Sequence, residues 1–278
     1  LTREGKLNQV SRRKLKQITH LYQFIEKALL SLPEGPNGLS VADLGAGKSY
    51  LGFLIYDLFF KNKEQGQMIG IETRLELVEK SKQLAQELGF KGMIFADKSV
   101  QDAMQDASLP SQIDVVTALH ACDSATDDAI EFGLIKKAKY MILVPCCQAE
   151  VAANLRQNRA LSVAKSSLGE LWRHPLHTRE LGSQITNVLR CLYLEACGYQ
   201  VTVTELVGWE HSMKNELIVA KYTGQKKRSS AVHLLEILQQ FSIANLLNTR
   251  FKRLPTTSTT LGGQEPLLES VDSPVIAQ

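Results

Sequence analysis

Apolar residues at Leu15, Ile18, Tyr22, Ile25, Leu29 and Leu32 recur at three- and four-residue steps, which predicts an amphipathic helix near the start of the chain. The run SLPEGPNG (31–38) ends it with two prolines and two glycines. The pattern then alternates. Short apolar runs at 39–44, 68–72, 92–96, 113–119 and 139–144 are separated by stretches of helical composition. The clearest of these, RLELVEKSKQLAQELGF, predicts a helix with Leu77, Leu84 and Leu88 along one side and Gly89 as its stop. Strands alternating with helices predict a parallel sheet covered on both faces.

The later part reads differently. YQVTVTELV (199–207) and NELIVAKYT (215–223) have strand patterns with seven residues between them, too few for a crossover helix, so they predict an antiparallel hairpin. A dinucleotide dehydrogenase continues instead with crossovers. Residues 148–198 predict a helical insertion shaping a substrate surface, and Val232, Leu235, Leu238, Phe241 and Leu246 a last helix. The expected division is a basic helical segment 1–36, a main α/β domain 37–223 containing that insertion, a helix within 224–253, and a disordered polar tail 254–278.

Composition narrows the class without deciding it. The 278 residues are 44% hydrophobic and 22% charged, with a formal net charge of +3, ordinary for a globular protein and too weak to announce a nucleic-acid binder. Basic residues cluster locally at 12–16, along 156–190 (Arg156, Arg159, Lys165, Arg173, Arg179, Arg190) and at Lys226–Arg228, which makes RNA a candidate partner. Five cysteines in no regular framework suit reduced thiols and a cytoplasmic location. No apolar run is long enough for a membrane span, so no membrane partner is expected.

The chemistry concentrates at predicted strand ends. The first strand enters Asp43-Leu44-Gly45-Ala46-Gly47-Lys48-Ser49, where Gly45 and Gly47 allow a sharp turn and close backbone approach to a ligand. A phosphate-binding P-loop needs glycine where Ala42 stands, and the dinucleotide fingerprint needs it at Tyr50. The remaining acid-x-Gly-x-Gly pattern is the form that binds S-adenosylmethionine. Glu72 closes the second strand, suited to ribose hydroxyls, and Asp97 the third, suited to an adenine amino group. The fourth strand ends at Leu119, beside the same ligand, and runs into His120-Ala121-Cys122-Asp123; the fifth runs into Pro145-Cys146-Cys147-Gln148. His120 and Asp123 are candidates to orient or deprotonate an acceptor, although His120 could simply pack beside the cofactor and Asp123 cap the next helix. Cys146 is a candidate nucleophile for carbon-5 base methylation, with structural packing as the default. Adjacent cysteines without a C-x-x-C pair make poor zinc ligands, so no metal is expected.

On VADLGAGKSYLG, IGIE, FADK and the terminal hairpin the chain resembles the class I S-adenosylmethionine-dependent methyltransferases. On ALHACDSATDDAI and LVPCCQ it resembles a narrower group that includes tRNA acceptor-stem 2′-O-methyltransferases and glutathione-S-transferase C-terminal-domain-containing proteins. The resemblance implies a Rossmann-like sheet of seven strands in the order 3-2-1-4-5-7-6. It also implies cofactor roles for Asp43, Gly45, Gly47, Glu72 and Asp97. Ser49 stands where many relatives have a third glycine, and is expected to narrow the loop without abolishing binding. No Asn-Pro-Pro-Tyr type sequence follows the fourth strand, which argues against base amino groups as acceptors. The leading expectation is an RNA methyltransferase acting on a 2′-hydroxyl or base. Its rivals are a protein or small-molecule methyltransferase, and a scaffold that binds S-adenosylmethionine or RNA without turnover.

Overall fold

The computed structural model describes residues 9–119, 124–145, 149–157, 166–206 and 215–255. Seven strands form one sheet: β1 (Ser40–Leu44), β2 (Gln67–Glu72), β3 (Met93–Asp97), β4 (Val115–Leu119), β5 (Tyr140–Val144), β6 (Tyr199–Glu205) and β7 (Glu216–Tyr222). Their order is β3-β2-β1-β4-β5-β7-β6. The first five are parallel, and β7 runs antiparallel to both β5 and β6. This is the sheet implied by the resemblance, and the hairpin falls where the short connection requires it.

The helices are α1 (Gln9–Leu30), α2 (Tyr50–Ile55, continuing as a π-helical turn over Tyr56–Phe60), α3 (Leu75–Glu87), α4 (Val100–Gln105), α5 (Ser124–Ile135), α6 (Glu150–Gln157), α7 (Pro175–Ala196), α8 (Arg228–Gln240) and the short α9 (Leu247–Arg250). Successive strand residues point to opposite faces, so each strand feeds two apolar layers. Val41, Val115 and Ile142 pack with Leu21 and Ile25 of α1, Leu51 and Ile55 of α2 and Val78 of α3. Ala42, Val116, Met141 and Leu143 face Phe132 of α5, Leu155 of α6, Leu189 and Tyr193 of α7, and Leu234 and Leu238 of α8. The later helices α7 and α8 therefore complete one of the two layers.

Three helices differ from expectation. In α1 the buried stripe is Ile18, Leu21, Tyr22, Ile25, Ala28 and Leu29, while Leu15 is 46% exposed. In α3 the buried line is Leu77, Val78, Ser81 and Ala85, and Leu84 and Leu88 lie outward. Small side chains at Ser81 and Ala85 let that helix approach the sheet along their own line, which turns the larger leucines away. The last helix is broken: α8 stops at Gln240, Ser242 turns left-handed, and α9 resumes after a short 3-10 turn.

Leu21 is fully buried where α1 meets the sheet, so Leu21→Ala should cost about 2–5 kcal/mol in denaturant unfolding. Leu15→Ala, on the exposed side, should stay within about 0.5 kcal/mol of the unaltered protein.

Candidate functional site

The carboxyl ends of the parallel strands collect Asp43, Leu44, Glu72, Asp97 and Leu119 at one edge of the sheet. After β1 the backbone turns left-handed at Gly45 (φ 67), Gly47 (φ 57) and Ser49 (φ 52). A Cβ on Gly45 would meet no heavy atom within 4 Å. Glycine is thus favoured there by conformation, and the space beside it is open to a ligand. The turn is fastened to β2 by Ala46 N donating to Ile71 O at 3.0 Å and Gly47 N donating to Glu72 Oε2 at 2.8 Å.

Ser49 packs inward beneath the turn. Its side chain is 1% exposed, and Oγ has no hydrogen-bond partner among the described residues. It lies over Gly52, where a Cβ would come within 2.5 Å of it. The departure from glycine thus brings backbone strain and an unsatisfied hydroxyl.

The acids differ in state. Asp43 is 3% exposed, and burial, followed by the neighbouring Glu72 charge, pushes it up to about 7. For Glu72, burial acts upward but is outweighed by hydrogen bonds from the Arg74 side chain, the Arg74 amide and the Gly47 amide, which hold it at about 2. Arg74 donates Nε to Oε1 at 3.0 Å and Nη2 to Oε2 at 3.1 Å. Both Glu72 oxygens are therefore already engaged, and ribose hydroxyls would use their remaining lone pairs or displace Arg74. Arg74 escaped the sequence reading, although its place two residues after the strand-end acid was visible. Asp97 is exposed and lies opposite Glu72 in the β2–β3 ladder. Leu119 is half-buried and in register with Val144.

His120, Asp123 and Cys146 lie outside the described residues, as do Cys122 and Cys147. Cys191 and Cys197 are free thiols, and burial pushes both up to about 12, so neither is a thiolate at neutral pH. No His, Cys, Asp and Glu group suited to a metal occurs among the described residues. No helix among them is long and apolar enough to cross a membrane. The expected basic surface of 148–198 is smaller than its count suggests. Arg190 is buried against Asp127, while Arg173 and Arg179 pair with Glu170 and Glu180. A cleft of about 670 Å³, lined by Pro36, Asn37, Gln67, Asp114 and Lys139, lies at the opposite, amino edge of the strands.

The family model described as a methyltransferase domain matches residues 13–154, about half of the chain. The chain belongs to the methyltransferase domain family. The expected enzyme class is thereby met: a class I methyltransferase dependent on S-adenosylmethionine, with the Rossmann-like sheet of that class. The match contains the glycine turn, all three strand-end acids and the starts of α5 and α6, and stops before α7.

No curated protein matches. Among solved structures, a citrinin polyketide synthase CMeT domain is 11% identical with a TM-score of 0.48, covering 79% of this chain, which spans 58% of that structure. A SAM-dependent methyltransferase from Aquifex aeolicus is 16% identical (TM-score 0.41, 77% and 97% covered). Magnesium protoporphyrin IX methyltransferase from Synechocystis PCC 6803, with bound SAH, is 14% identical (TM-score 0.45, 79% and 89% covered). Likeness at this level bears on no substrate.

Two outcomes are expected of the methyltransferase domain's loop. Ser49→Gly should raise the unfolding free energy by about 1 kcal/mol, since it removes left-handed strain and a buried, unbonded hydroxyl. Asp43 has a folded-state pKa above its unfolded one, so the folded state binds the extra proton, and stability falls as pH rises from about 4 to about 7. Asp43→Asn should therefore raise the thermal midpoint at pH 8, by an equivalent of roughly 4 kcal/mol at most, and leave it unchanged near pH 4.

Proposed function

We propose that the turn Asp43–Ser49 with Glu72 and Asp97 holds S-adenosylmethionine, and that its methyl group passes to an acceptor meeting it beyond the ends of β4 and β5. The observation that carries this is the turn itself. The left-handed turn through Gly45 and Gly47 is bonded to the end of β2 by Ala46 N and Gly47 N, with open space beside Gly45, at the edge where ligands of parallel sheets collect. When bound, the cofactor supplies an electrophilic methyl on a positively charged sulfur. Gly45 gives the backbone clearance, Gly47 ties the turn to Glu72, and ionised Glu72 offers acceptor lone pairs to hydroxyls. Asp97, one ladder step away, offers a carboxylate to an amino group, and Leu119 an apolar wall. His120 or Asp123 is assigned the orienting or deprotonating role, and Cys146 the nucleophilic one if the acceptor is a pyrimidine carbon.

For the acceptor we propose RNA, at a 2′-hydroxyl or a base. The basic N-terminal segment, Arg156 and Lys226 support it. A protein or small-molecule acceptor is the second reading, favoured by the pairing of Arg173, Arg179 and Lys227 with acids and the burial of Arg190.

Transfer of labelled methyl from S-adenosylmethionine into total RNA, protein and small-molecule fractions tests both. Label in RNA is expected; label only in protein or small molecules selects the second reading. No label in any fraction despite tight binding would leave a scaffold. By calorimetry, Asp43→Ala should abolish donor binding, and unchanged affinity would sink the site. For the unaltered protein, affinity should weaken as pH falls below about 7, because a proton on Asp43 removes a negative charge beside a cationic donor.

A further inference from the structure

Two arginines from the part of the chain beyond the family match grip the helix starts that follow β4 and β5. The Arg190 guanidinium on α7 is 1% exposed. It donates Nε to Asp127 Oδ1 at 2.7 Å, Nη2 to Asp127 Oδ2 at 2.8 Å and Nη1 to Asn187 Oδ1 at 3.1 Å. Asn187 in turn donates Nδ2 to Glu216 Oε2 at 2.6 Å. Asp127 stands in the first turn of α5, and Glu216 opens β7. One buried cation thus joins α5, α7 and the closing hairpin. Arg250, the last residue of α9, treats α6 likewise: Nε donates to Glu150 Oε2 at 2.8 Å and Nη2 to Oε1 at 3.0 Å. Glu150 is the first residue of α6.

An acid in the first turn of a helix is favourable by itself, through the helix dipole. Glu150, partly exposed, therefore needs no arginine merely to let α6 form, whereas buried Asp127 also takes its counter-charge from Arg190. A two-point guanidinium fork adds direction and register, which a lysine cannot reproduce. The placement is also selective. β4 ends at Leu119 and β5 at Val144, and the helices that follow them begin at Ser124 and Glu150. The forks fix those two helix starts, while the turn after β1 and the end of β2 are held by a separate set, Glu72 with Gly47 and Arg74. Both acids lie inside the family match and both arginines outside it. The shared domain carries the handles, and the C-terminal part of this chain supplies the grips.

We propose that Arg190 and Arg250 are positioning residues for methyl acceptance, holding the first turns of α5 and α6 so that the acceptor side at β4 and β5 is set independently of the donor side at β1 to β3. This rests on the methyltransferase reading above. Any error in the helix starts displaces the acceptor relative to the methyl group, and in-line transfer tolerates little displacement.

The test uses the full chain with Arg190→Lys, Arg250→Lys, Arg250→Glu, and the exchanged pair Arg250→Glu with Glu150→Arg. The Arg250–Glu150 pair is partly exposed, at 23% and 32%, so its variants carry the test even if Arg190→Lys fails to fold. Calorimetry with S-adenosylmethionine and S-adenosylhomocysteine should give donor affinities within about twofold of the unaltered protein. At saturating donor, methyl incorporation into the labelled fraction should fall about tenfold or more in the single variants. Amide exchange over residues 124–130 and 150–156 should speed up in the corresponding variants. The exchanged pair should recover incorporation to within about threefold. Lysine variants that transfer methyl normally overturn the proposal. So does donor affinity weakening in step with incorporation, or Arg250→Glu alone matching the exchanged pair. No incorporation by the unaltered protein overturns the methyltransferase reading and this proposal with it, whereas normal turnover with indifferent arginine variants overturns the proposal alone.

Discussion

A parallel ladder forces every strand to end at the same edge, and the remaining architecture follows from that constraint. Each return to the amino edge needs a crossover, so helices coat both faces, and strands covered on both sides carry apolar residues at successive positions. The sheet grows in one direction through β1, β2 and β3 and in the other through β4 and β5, which leaves a crevice where the chain's path diverges between β1 and β4. The antiparallel β7 then changes what reaches that edge. Because it runs against β5, its first residue, Glu216, arrives where β5 ends, and a hairpin that could have served only to close the sheet delivers a carboxylate to the Arg190 cluster.

That constraint also explains which parts of the molecule were legible in the sequence. Doubly buried strands leave continuous apolar runs, so the runs at 39–44, 68–72 and 139–144 fall on β1, β2 and β5 to within a residue or two. Gly45 and Gly47 were legible because left-handed backbone is a local, covalent requirement. Helix faces were less so, since which stripe is buried depends on how closely the helix approaches, and in α3 that is set by Ser81 and Ala85 and not by the leucines. The arginine pairings were illegible. Arg190 and Asp127 are 63 residues apart, Arg250 and Glu150 are 100 apart, and no local pattern distinguishes a charge destined for burial from one destined for water. Counting Arg190 among a basic surface was the natural error, corrected only by its 1% exposure.

Asp43 and Glu72 show how two acids on adjacent strands acquire different chemistry. They stand at the carboxyl ends of neighbouring strands, yet only Glu72 has Arg74 and the Gly47 amide to stabilise its charge. Its ionisation then raises the cost of ionising Asp43, already high from burial. The pair consequently carries about one negative charge on the acid side of neutrality and approaches two above it. On the proposed reading, a cationic donor entering the crevice would shift that balance toward the doubly ionised state, because it would be the counter-charge that Asp43 otherwise lacks. Donor binding and proton release would then be coupled, most strongly near the pH where Asp43 is half-ionised.

The acceptor side obeys a different accounting of charge. Arg173 with Glu170, Arg179 with Glu180 and Lys227 with Glu195 are neighbour pairs at hydrogen-bonding distance, each cation more than half exposed. A phosphate docking on such a cation would exchange one ion pair for another and gain only the difference, and with exposed pairs already weak that difference is small. The release of condensed counterions that drives polyanion binding depends on how many phosphates the protein neutralises, so the insertion contributes less to it than its six basic residues suggest. On the RNA proposal, the remaining pull on an anionic acceptor would have to come from the basic residues that the sequence places at 12–16, with Arg156 and Lys226. An acceptor held mainly by shape against α5, α6 and α7 would show almost none of the salt dependence that a polyanion must show. The slope of acceptor binding against salt therefore measures directly how much of this surface was built for phosphate.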